Sequence, residues 1–264
     1  MSTAVSKPIR IASVSYFNAT PLNYGLDQRA DCRLLLEVPA KLIDLLRENR
    51  ADVALLPVID YQRMDGLRVV PSGGIGSDGE TLTVRIFSRT AIEKIQTLSC
   101  DVESHTSVAL AKIIFAERYG IRPEFVPSST GSPDAAKLLI GDKVVCEEPV
   151  GYPHQLDLGA AWKMLTDLPF VFAAWVARVG MDLGDLPSQL EQAKRSGLEH
   201  VEELIEQYAL PRGWPHHLAR QYLTRNLKFD IGEPQLAAIR LFHELAHKHG
   251  MIERVNPLRI YSQD

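Results

Sequence analysis

Polar side chains that can hold a small ligand are concentrated in one short stretch near the N-terminus. The stretch supplies hydroxyl, phenol and amide groups from Ser15, Tyr16, Asn18 and Thr20. It follows residues 9–14, which begin with strand-like alternation, and precedes Pro21, which is typical of a helix start. Small ligands bind beyond the carboxyl ends of strands in α/β sheets, so we predict that these side chains contact a polar ligand. A polar loop that caps the next helix explains the same residues equally well.

A second candidate site is the run Ser104-His105-Thr106-Ser107, which follows a strand-like segment at 98–102. Apolar residues recur with helical spacing beyond it, so the run predicts the first turn of a helix. Unpaired N–H groups and the positive end of the helix dipole attract a carboxylate at such a turn. We therefore assign Ser104, His105, Thr106 and Ser107 to substrate binding. An ordinary N-cap without a ligand is the alternative.

Two adjacent carboxylates, Glu147 and Glu148, close a predicted strand at 144–146. Neighbouring strand residues point to opposite faces, so at most one of the two faces a cleft. A buried carboxyl there has a raised pKa and can exchange protons with a substrate. We place Glu147 in the candidate binding set, and an exposed pair is the alternative.

The C-terminal region contains His243-Glu244-Leu245-Ala246-His247, which matches the HExxH zinc motif. The third ligand position of that motif is occupied by Glu253 rather than histidine. On a helical wheel both histidines fall on a charged face, opposite Leu241, Phe242 and Leu245. We therefore predict a solvated outer face and no metal site.

The composition excludes several classes of protein. The 264-residue chain is 45% hydrophobic and 23% charged, which is typical of a globular protein with one large or two modest domains. Its net charge of −4 argues against nucleic acid as a partner. Cys32, Cys100 and Cys146 lack zinc spacing, and the N-terminus lacks an apolar targeting segment. We predict reduced thiols, no membrane span and a cytoplasmic location.

The elements that position these residues begin with an α/β pattern. Strand-like segments at 34–38 and 53–57 flank a helical pattern, which indicates parallel strands joined by a crossover. The segment Gly74–Gly79 has the spacing of a nucleotide-binding loop. A strand-like segment rather than a helix follows it, so we predict a turn.

A second α/β unit follows. Helices are predicted at 105–119 and 135–140, and strands at 98–102, 124–126 and 144–146. Residues 168–177 are apolar on both faces, as in a central strand, and the chain beyond 185 is mostly helical. We predict two lobes with a cleft between them. Residues 1–88 plus 171–264 form the first lobe, and residues 89–170 form the second.

Several motifs carry a resemblance to a known family. They are Val14–Leu22, Ala51–Pro57, Ser77-Asp78-Gly79, Ser104–Ser107, Asp157–Trp162 and Leu168–Val176. In this order and spacing they resemble the chorismate dehydratases, which open the futalosine route to menaquinone. The resemblance implies an α/β, two-lobed fold like type II periplasmic binding proteins, with mixed central sheets flanked by helices and a helical C-terminal tail. It also implies dehydration of the dicarboxylate chorismate to 3-[(1-carboxyvinyl)oxy]benzoate without a cofactor.

The resemblance further implies catalytic roles for Asn18, on the first loop, and for Thr83, where the family usually has serine. Threonine keeps the hydroxyl but restricts χ1, which can weaken activity or alter the substrate. Cys146-Glu147-Glu148 replaces a common Ile-Gly-Asp, so the cleft lining differs there. Two alternatives stay open. One is a cytosolic protein of the same fold that binds or senses a small carboxylate. The other is the sibling 1,4-dihydroxy-6-naphthoate synthase, which Glu147 disfavours because that enzyme uses histidine nearby.

Overall fold

The strands of the protein form two mixed sheets. The computed structural model describes residues 8–100, 104–128 and 135–262. Within these ranges the strands are β1 (Ile9–Ser13), β2 (Cys32–Leu36), β3 (Val53–Pro57), β4 (Leu67–Ser77), β5 (Val84–Ser88), β6 (Thr97–Cys100), β7 (Glu124–Pro127), β8 (Ala136–Ile140), β9 (His154–Asp157), β10 (Phe170–Arg178) and β11 (Leu227–Lys228). The first sheet has the order β11-β4-β10-β3-β1-β2, and the second has the order β7-β6-β8-β5-β9.

Helices flank both sheets and dominate the C-terminal third. They are α1 (Thr20–Asn23), α2 (Pro39–Arg47), α3 (His105–Ile114), α4 (Asp142–Cys146), α5 (Leu158–Thr166), α6 (Leu186–Glu199), α7 (Val201–Leu204), α8 (His216–Gln221) and α9 (Glu233–Lys248). The predicted mixed sheets and helical tail are confirmed. Throughout the described ranges, every helix is too short or too polar to cross a bilayer.

The central strand of the first sheet is β10, as its apolar sequence predicts. It runs antiparallel to both β3 and β4. The predicted turn at Gly74–Gly79 is wrong for its first half, because β4 continues to Ser77. A Cβ atom on Gly74 or Gly76 would lie within 2.6 Å of a carbonyl oxygen of β10. These glycines therefore serve close strand packing rather than nucleotide binding.

The second sheet begins earlier in the chain than the predicted lobe boundary. β5 pairs with β8 and β9 in that sheet, although residues up to 88 were expected in the first lobe. The chain therefore crosses between β4 and β5, before Val84, and returns immediately before β10. Both crossings lie beside the cavity described below.

The structure reverses two predicted elements. Residues 136–140 form strand β8 rather than a helix, and residues 142–146 form helix α4 rather than a strand. β8 lies between β5 and β6, which bury Ala136 and Leu138, so sheet pairing overrides the helical propensity of the segment. Gly141, with a φ of 66°, makes the turn into α4. The prediction that Glu147 closes a strand is therefore wrong.

One continuous core joins the two sheets through α9. The ring of Phe242, on α9, lies 5.1 Å from that of Phe170 and 6.1 Å from that of Trp162 on α5. The neighbouring His243 is only 1% exposed, so its predicted place on a solvated face is wrong. Its Nε2 donates to the Val58 carbonyl (2.7 Å), and its Nδ1 accepts from Gln62 Nε2 (2.7 Å). Both ring nitrogens are thus engaged by the protein.

This buried histidine makes stability depend on pH. Burial lowers the pKa of His243 from 6.5 to about 4, so the folded state resists protonation. Its contribution is complete above pH 6.5 and is lost as the pH falls towards 4. When the pH falls from 7.5 to 4.5, we expect the free energy of unfolding to decrease by about 2–3 kcal/mol less in His243→Gln than in the wild type, because glutamine does not titrate.

Urea unfolding at several pH values measures this difference. His247→Gln removes an exposed histidine one turn further along α9 and should retain the wild-type pH dependence. Parallel stability curves for the wild type and His243→Gln would contradict the assignment.

Candidate active site

A cavity of about 250 Å³ lies between the two sheets. Its polar lining comes from Asn18, Thr81, Thr83, Ser104, His105, Thr106, Ser107, Asp142 and Lys143, and its aromatic lining from Tyr16, Phe17, Phe172, Trp214 and Tyr222. Most of the polar lining is uncharged. The cavity therefore offers hydrogen-bond donors over an apolar and aromatic floor, which suits a small polar ligand with an unsaturated ring.

The structure brings seven of the nine predicted site residues to this cavity. They are Tyr16, Asn18, Thr83, Ser104, His105, Thr106 and Ser107. Ser15 is exposed outside the lining, and its carbonyl accepts a hydrogen bond from Arg212. Glu147 is also exposed outside the lining, because it follows helix α4 instead of ending a strand. Neither residue is placed to contact a ligand in the cavity.

The loop after β1 holds Asn18 by local hydrogen bonds. Residues 17–19 form a 3₁₀ turn, and Thr20 Oγ1 donates to the Phe17 carbonyl (2.8 Å). Asn23 Nδ2 donates to the Val14 carbonyl (3.0 Å), which closes the loop. The Asn18 Oδ1 atom is buried and, within the described part of the chain, lacks a hydrogen-bond partner. An acceptor of this kind at a cavity wall calls for a ligand donor or a water.

The N-terminus of α3 meets the cavity as the sequence predicts. Ser104 occupies the N-cap position, but its side chain makes no capping hydrogen bond. The first intrahelical bond runs from the Val108 N–H to the Ser104 carbonyl, so the N–H groups of residues 105–107 have no backbone partner among the described residues. With the hydroxyls of Thr106 and Ser107 they form a donor set suited to a carboxylate.

A buried carboxylate orients His105 at this helix terminus. Asp60 is fully buried, and both of its carboxylate oxygens lie 3.0 Å from His105 Nδ1. Arg63 Nη1 lies 3.2 Å from Asp60 Oδ1 and 2.9 Å from His105 Nδ1. The ring is thus held between a carboxylate and a guanidinium. Sequence reasoning missed Asp60, whose one signal is a charge within the apolar run at 53–61.

A strained turn delivers Thr83 to the cavity. Asp157 Oδ1 accepts from the Thr81 N–H (3.0 Å), and Asp157 Oδ2 accepts from the Leu82 N–H (2.8 Å). Leu82 has a φ of 73°, a left-handed conformation that costs about 1–3 kcal/mol for a non-glycine residue. Asp157 also caps α5 through the Ala160 N–H, so one carboxylate ties the crossing segment to that helix.

Tyr222 joins the two predicted catalytic residues, and sequence reasoning missed it. Its hydroxyl lies 2.7 Å from Thr83 Oγ1, and its ring stacks on Trp214 with centroids 5.2 Å apart. Burial raises the pKa of Tyr222, and hydrogen bonds with Thr83 and Asn18 only partly oppose that increase. The phenol therefore stays protonated at neutral pH. Because Thr83 and Tyr222 lie 139 positions apart, the sequence carries no signal of this pair.

Contacts across the cleft close one end of the cavity. Trp214 Nε1 donates to Asp142 Oδ1 (2.7 Å), and Arg212 Nε lies 3.6 Å from Asp142 Oδ2. Asp142 begins α4 in the second sheet's lobe, whereas Trp214 belongs to the helical tail. The carboxylate of Asp142 is thus engaged in holding the two parts together.

The HExxH motif does not form a zinc site among the described residues. Across residues 8–100, 104–128 and 135–262, no three histidine, cysteine, aspartate or glutamate side chains are grouped to hold a metal ion. The two nitrogens of His243 are engaged as described, and His247 is exposed. The HExxH match is thus a helix-packing pattern.

Two α/β lobes with a ligand-sized cavity between them define the periplasmic-binding-protein class of fold. A protein of Archaeoglobus fulgidus shares it with a TM-score of 0.74, 16% identity and coverage of 94% of this chain and 100% of that chain. The periplasmic aliphatic sulphonate binding protein of Escherichia coli does so with a TM-score of 0.66, 12% identity and coverage of 98% and 95%. At these identities the likeness concerns the fold alone.

Sequence comparison identifies the family. The model of a family described as "Menaquinone biosynthesis" matches residues 9–248, and the chain belongs to that family. A chorismate dehydratase of Thermus thermophilus is 29% identical over 260 residues, covering 90% of this chain and 95% of the relative. A chorismate dehydratase of Campylobacter jejuni is 25% identical over 239 residues, covering 87% and 93%. The predicted family is confirmed.

Proposed function

We propose that this chain is a chorismate dehydratase, a carbon–oxygen lyase that converts chorismate into 3-[(1-carboxyvinyl)oxy]benzoate and water. The observation that carries the proposal is a single cavity lined by the N-terminus of α3 and by Asn18 and Thr83. The names of the Thermus and Campylobacter relatives support the same activity. No cofactor is required, because formation of the aromatic ring drives the reaction.

Substrate binding follows from the charge of chorismate. The ring carboxylate is held by the first N–H groups of α3 and by the hydroxyls of Thr106 and Ser107. The ring lies on the aromatic lining and presents its C4 hydroxyl to Asn18 and Thr83. Donors that hold the ring carboxylate also stabilise the negative charge that spreads into it when C3 loses a proton.

The elimination removes a proton from C3 and a hydroxyl from C4. The electron pair of the C3–H bond forms the new ring double bond, and the C4–O bond breaks. The group that takes the C3 proton returns it to the departing oxygen, which leaves as water. Asp142, the carboxylate that lines the cavity, is engaged by Trp214 and Arg212. In our proposal the proton acceptor is the enolpyruvyl carboxylate of the substrate itself.

Asn18 and Thr83 act on the departing oxygen. Thr83 is a neutral donor at the cavity wall, and the unpaired Asn18 Oδ1 can accept from the C4 hydroxyl and so orient it. A preorganised donor lowers the barrier most where charge develops in the transition state. Thr83 stands where the family usually has serine, and its hydroxyl is fixed by Tyr222. The extra methyl group therefore leaves a hydroxyl in place for the reaction.

Incubation of the purified protein with chorismate tests the proposal. We expect loss of chorismate and the appearance of an aromatic product with the mass of chorismate minus water. Tight binding of chorismate without turnover would overturn the proposal and favour a carboxylate-binding protein of the same fold.

We also propose a cytoplasmic location, with a dianionic small molecule as the partner. The free thiols of Cys32, Cys100 and Cys146 support a reducing compartment.

A further inference from the structure

The hydroxyl of Tyr222 links groups from three separate segments of the chain. Asn18 follows β1, Thr83 precedes β5, and Tyr222 follows α8 in the helical tail. The phenol is 2% exposed and lines the cavity, and its hydroxyl contacts the two residues that we propose as catalytic. A buried phenol in such a position can fix the direction of a hydrogen-bond chain.

The partners of each atom determine which group donates and which accepts in these hydrogen bonds. Asn18 Oδ1 lacks a partner in the described part of the chain, so the amide N–H₂ is the side of Asn18 that faces the phenol. The Tyr222 oxygen therefore accepts from Asn18.

The phenol must donate its own hydrogen, because buried polar hydrogens are paired in folded proteins. Among the described residues its acceptor is Thr83 Oγ1, 2.7 Å away. Because Thr83 Oγ1 accepts this hydrogen bond, its own hydroxyl hydrogen can point into the cavity. The hydrogen bonds thus run from Asn18 through Tyr222 to Thr83, whose hydroxyl is the donor that faces the ligand.

We propose that Tyr222 is a positioning residue, which holds the Thr83 hydroxyl as a hydrogen-bond donor towards the oxygen that leaves C4 of the substrate. The inference rests on the proposed dehydratase function. If Tyr222 instead accepted from Thr83, the phenol hydrogen would have no acceptor among the described residues, because the N–H₂ group of Asn18 faces it. The Tyr222 hydroxyl therefore donates to Thr83. Stacking on Trp214 and contact with Phe17, with ring centroids 6.2 Å apart, prevent the phenol from turning away.

Removal of the single hydroxyl tests the inference. We expect Tyr222→Phe to lower kcat for chorismate about 10–100-fold, because one preorganised donor is lost, and to change KM less than about threefold. The stacked ring remains, so the melting temperature should stay within a few degrees of the wild type. Tyr24→Phe is the matched control, because the Tyr24 hydroxyl donates to Glu203 on the surface (3.2 Å), away from the cavity, and it should keep wild-type kcat.

A double-mutant cycle separates positioning from a purely structural role. Thr83→Val replaces the hydroxyl by a methyl group of the same shape. If Tyr222 acts through Thr83, adding Tyr222→Phe to Thr83→Val lowers kcat no further. Multiplicative losses in the double variant, or wild-type kcat in Tyr222→Phe, would overturn the inference while leaving the dehydratase function intact. A wild-type protein that forms no product would instead overturn the proposed function.

Discussion

Replacing Asn18 with leucine lowers kcat/KM for chorismate about 10²–10³-fold, which is the cost of removing one polar group from a preorganised site. Leucine has nearly the shape of asparagine, so the loop that Thr20 and Asn23 hold by hydrogen bonds should keep its conformation. The variant loses the unpaired Oδ1 acceptor and the amide that contacts Tyr222. Both losses fall on the departing oxygen, so we expect the effect mainly in kcat.

Steady-state kinetics with chorismate, read by absorbance of the aromatic product, measures this loss. Gln28→Leu makes the same change of an amide to an apolar group at an exposed position and should retain wild-type kinetics. A kcat within threefold of the wild type for Asn18→Leu would remove Asn18 from the chemistry.

Replacing Gly159 with alanine has the largest expected effect on the fold around the site. A Cβ atom at this position would lie 2.5 Å from the Gly79 carbonyl oxygen and 2.6 Å from Ser77 Oγ, and it would also overlap Thr81 Oγ1. Those atoms belong to the segment that leads to Thr83 and cannot all move away. We expect the free energy of unfolding to fall by about 3 kcal/mol, with lower kcat in the protein that remains folded.

Urea unfolding measures the effect, and Gly232→Ala supplies the matched control. At Gly232 the nearest atom to an added Cβ is Gln235 Oε1 at 3.5 Å, which is an ordinary contact. Since Gly232 is the N-cap of α9, alanine there should cost under about 1 kcal/mol. Equal stabilities for the two variants would show that helix α5 does not hold the crossing segment as we describe.

Local sequence patterns predicted those elements in which apolar residues form an uninterrupted run or recur at regular spacing. β3 is an uninterrupted buried apolar run, and β10 is apolar on both faces, so each is recognisable without its neighbours. The start of α3 is marked by a hydroxyl-rich run followed by a helical stripe. These elements carry or border much of the cavity wall, and so a large part of the site was predictable.

Sheet pairing and long-range contacts decided the remaining elements. The residues of β8 favour a helix and those of α4 favour a strand, but β8 gains two neighbours in the second sheet. Val144, on α4, is buried against a small cluster with Phe87 and Tyr152. A helical wheel could not predict the burial of His243, because the groups that pair with it come from residues 58 and 62.

The catalytic assignments for Asn18 and Thr83 came from family resemblance and not from spacing. The structure adds Tyr222 and Asp60, which reach the site from distant parts of the chain. It also removes Glu147 from the cavity lining, and with it the argument that this carboxylate disfavours the sibling synthase. A turnover assay with the substrate of each enzyme therefore distinguishes chorismate dehydratase from the sibling synthase.

A crystal structure with bound 3-[(1-carboxyvinyl)oxy]benzoate tests the central claim most directly. We predict that the product lies between the two sheets, with its ring carboxylate within about 3.2 Å of N–H groups at the start of α3 and its ring edge against Asn18 and Thr83. Product bound outside this cavity, or bound with its ring carboxylate turned away from α3, would contradict the account.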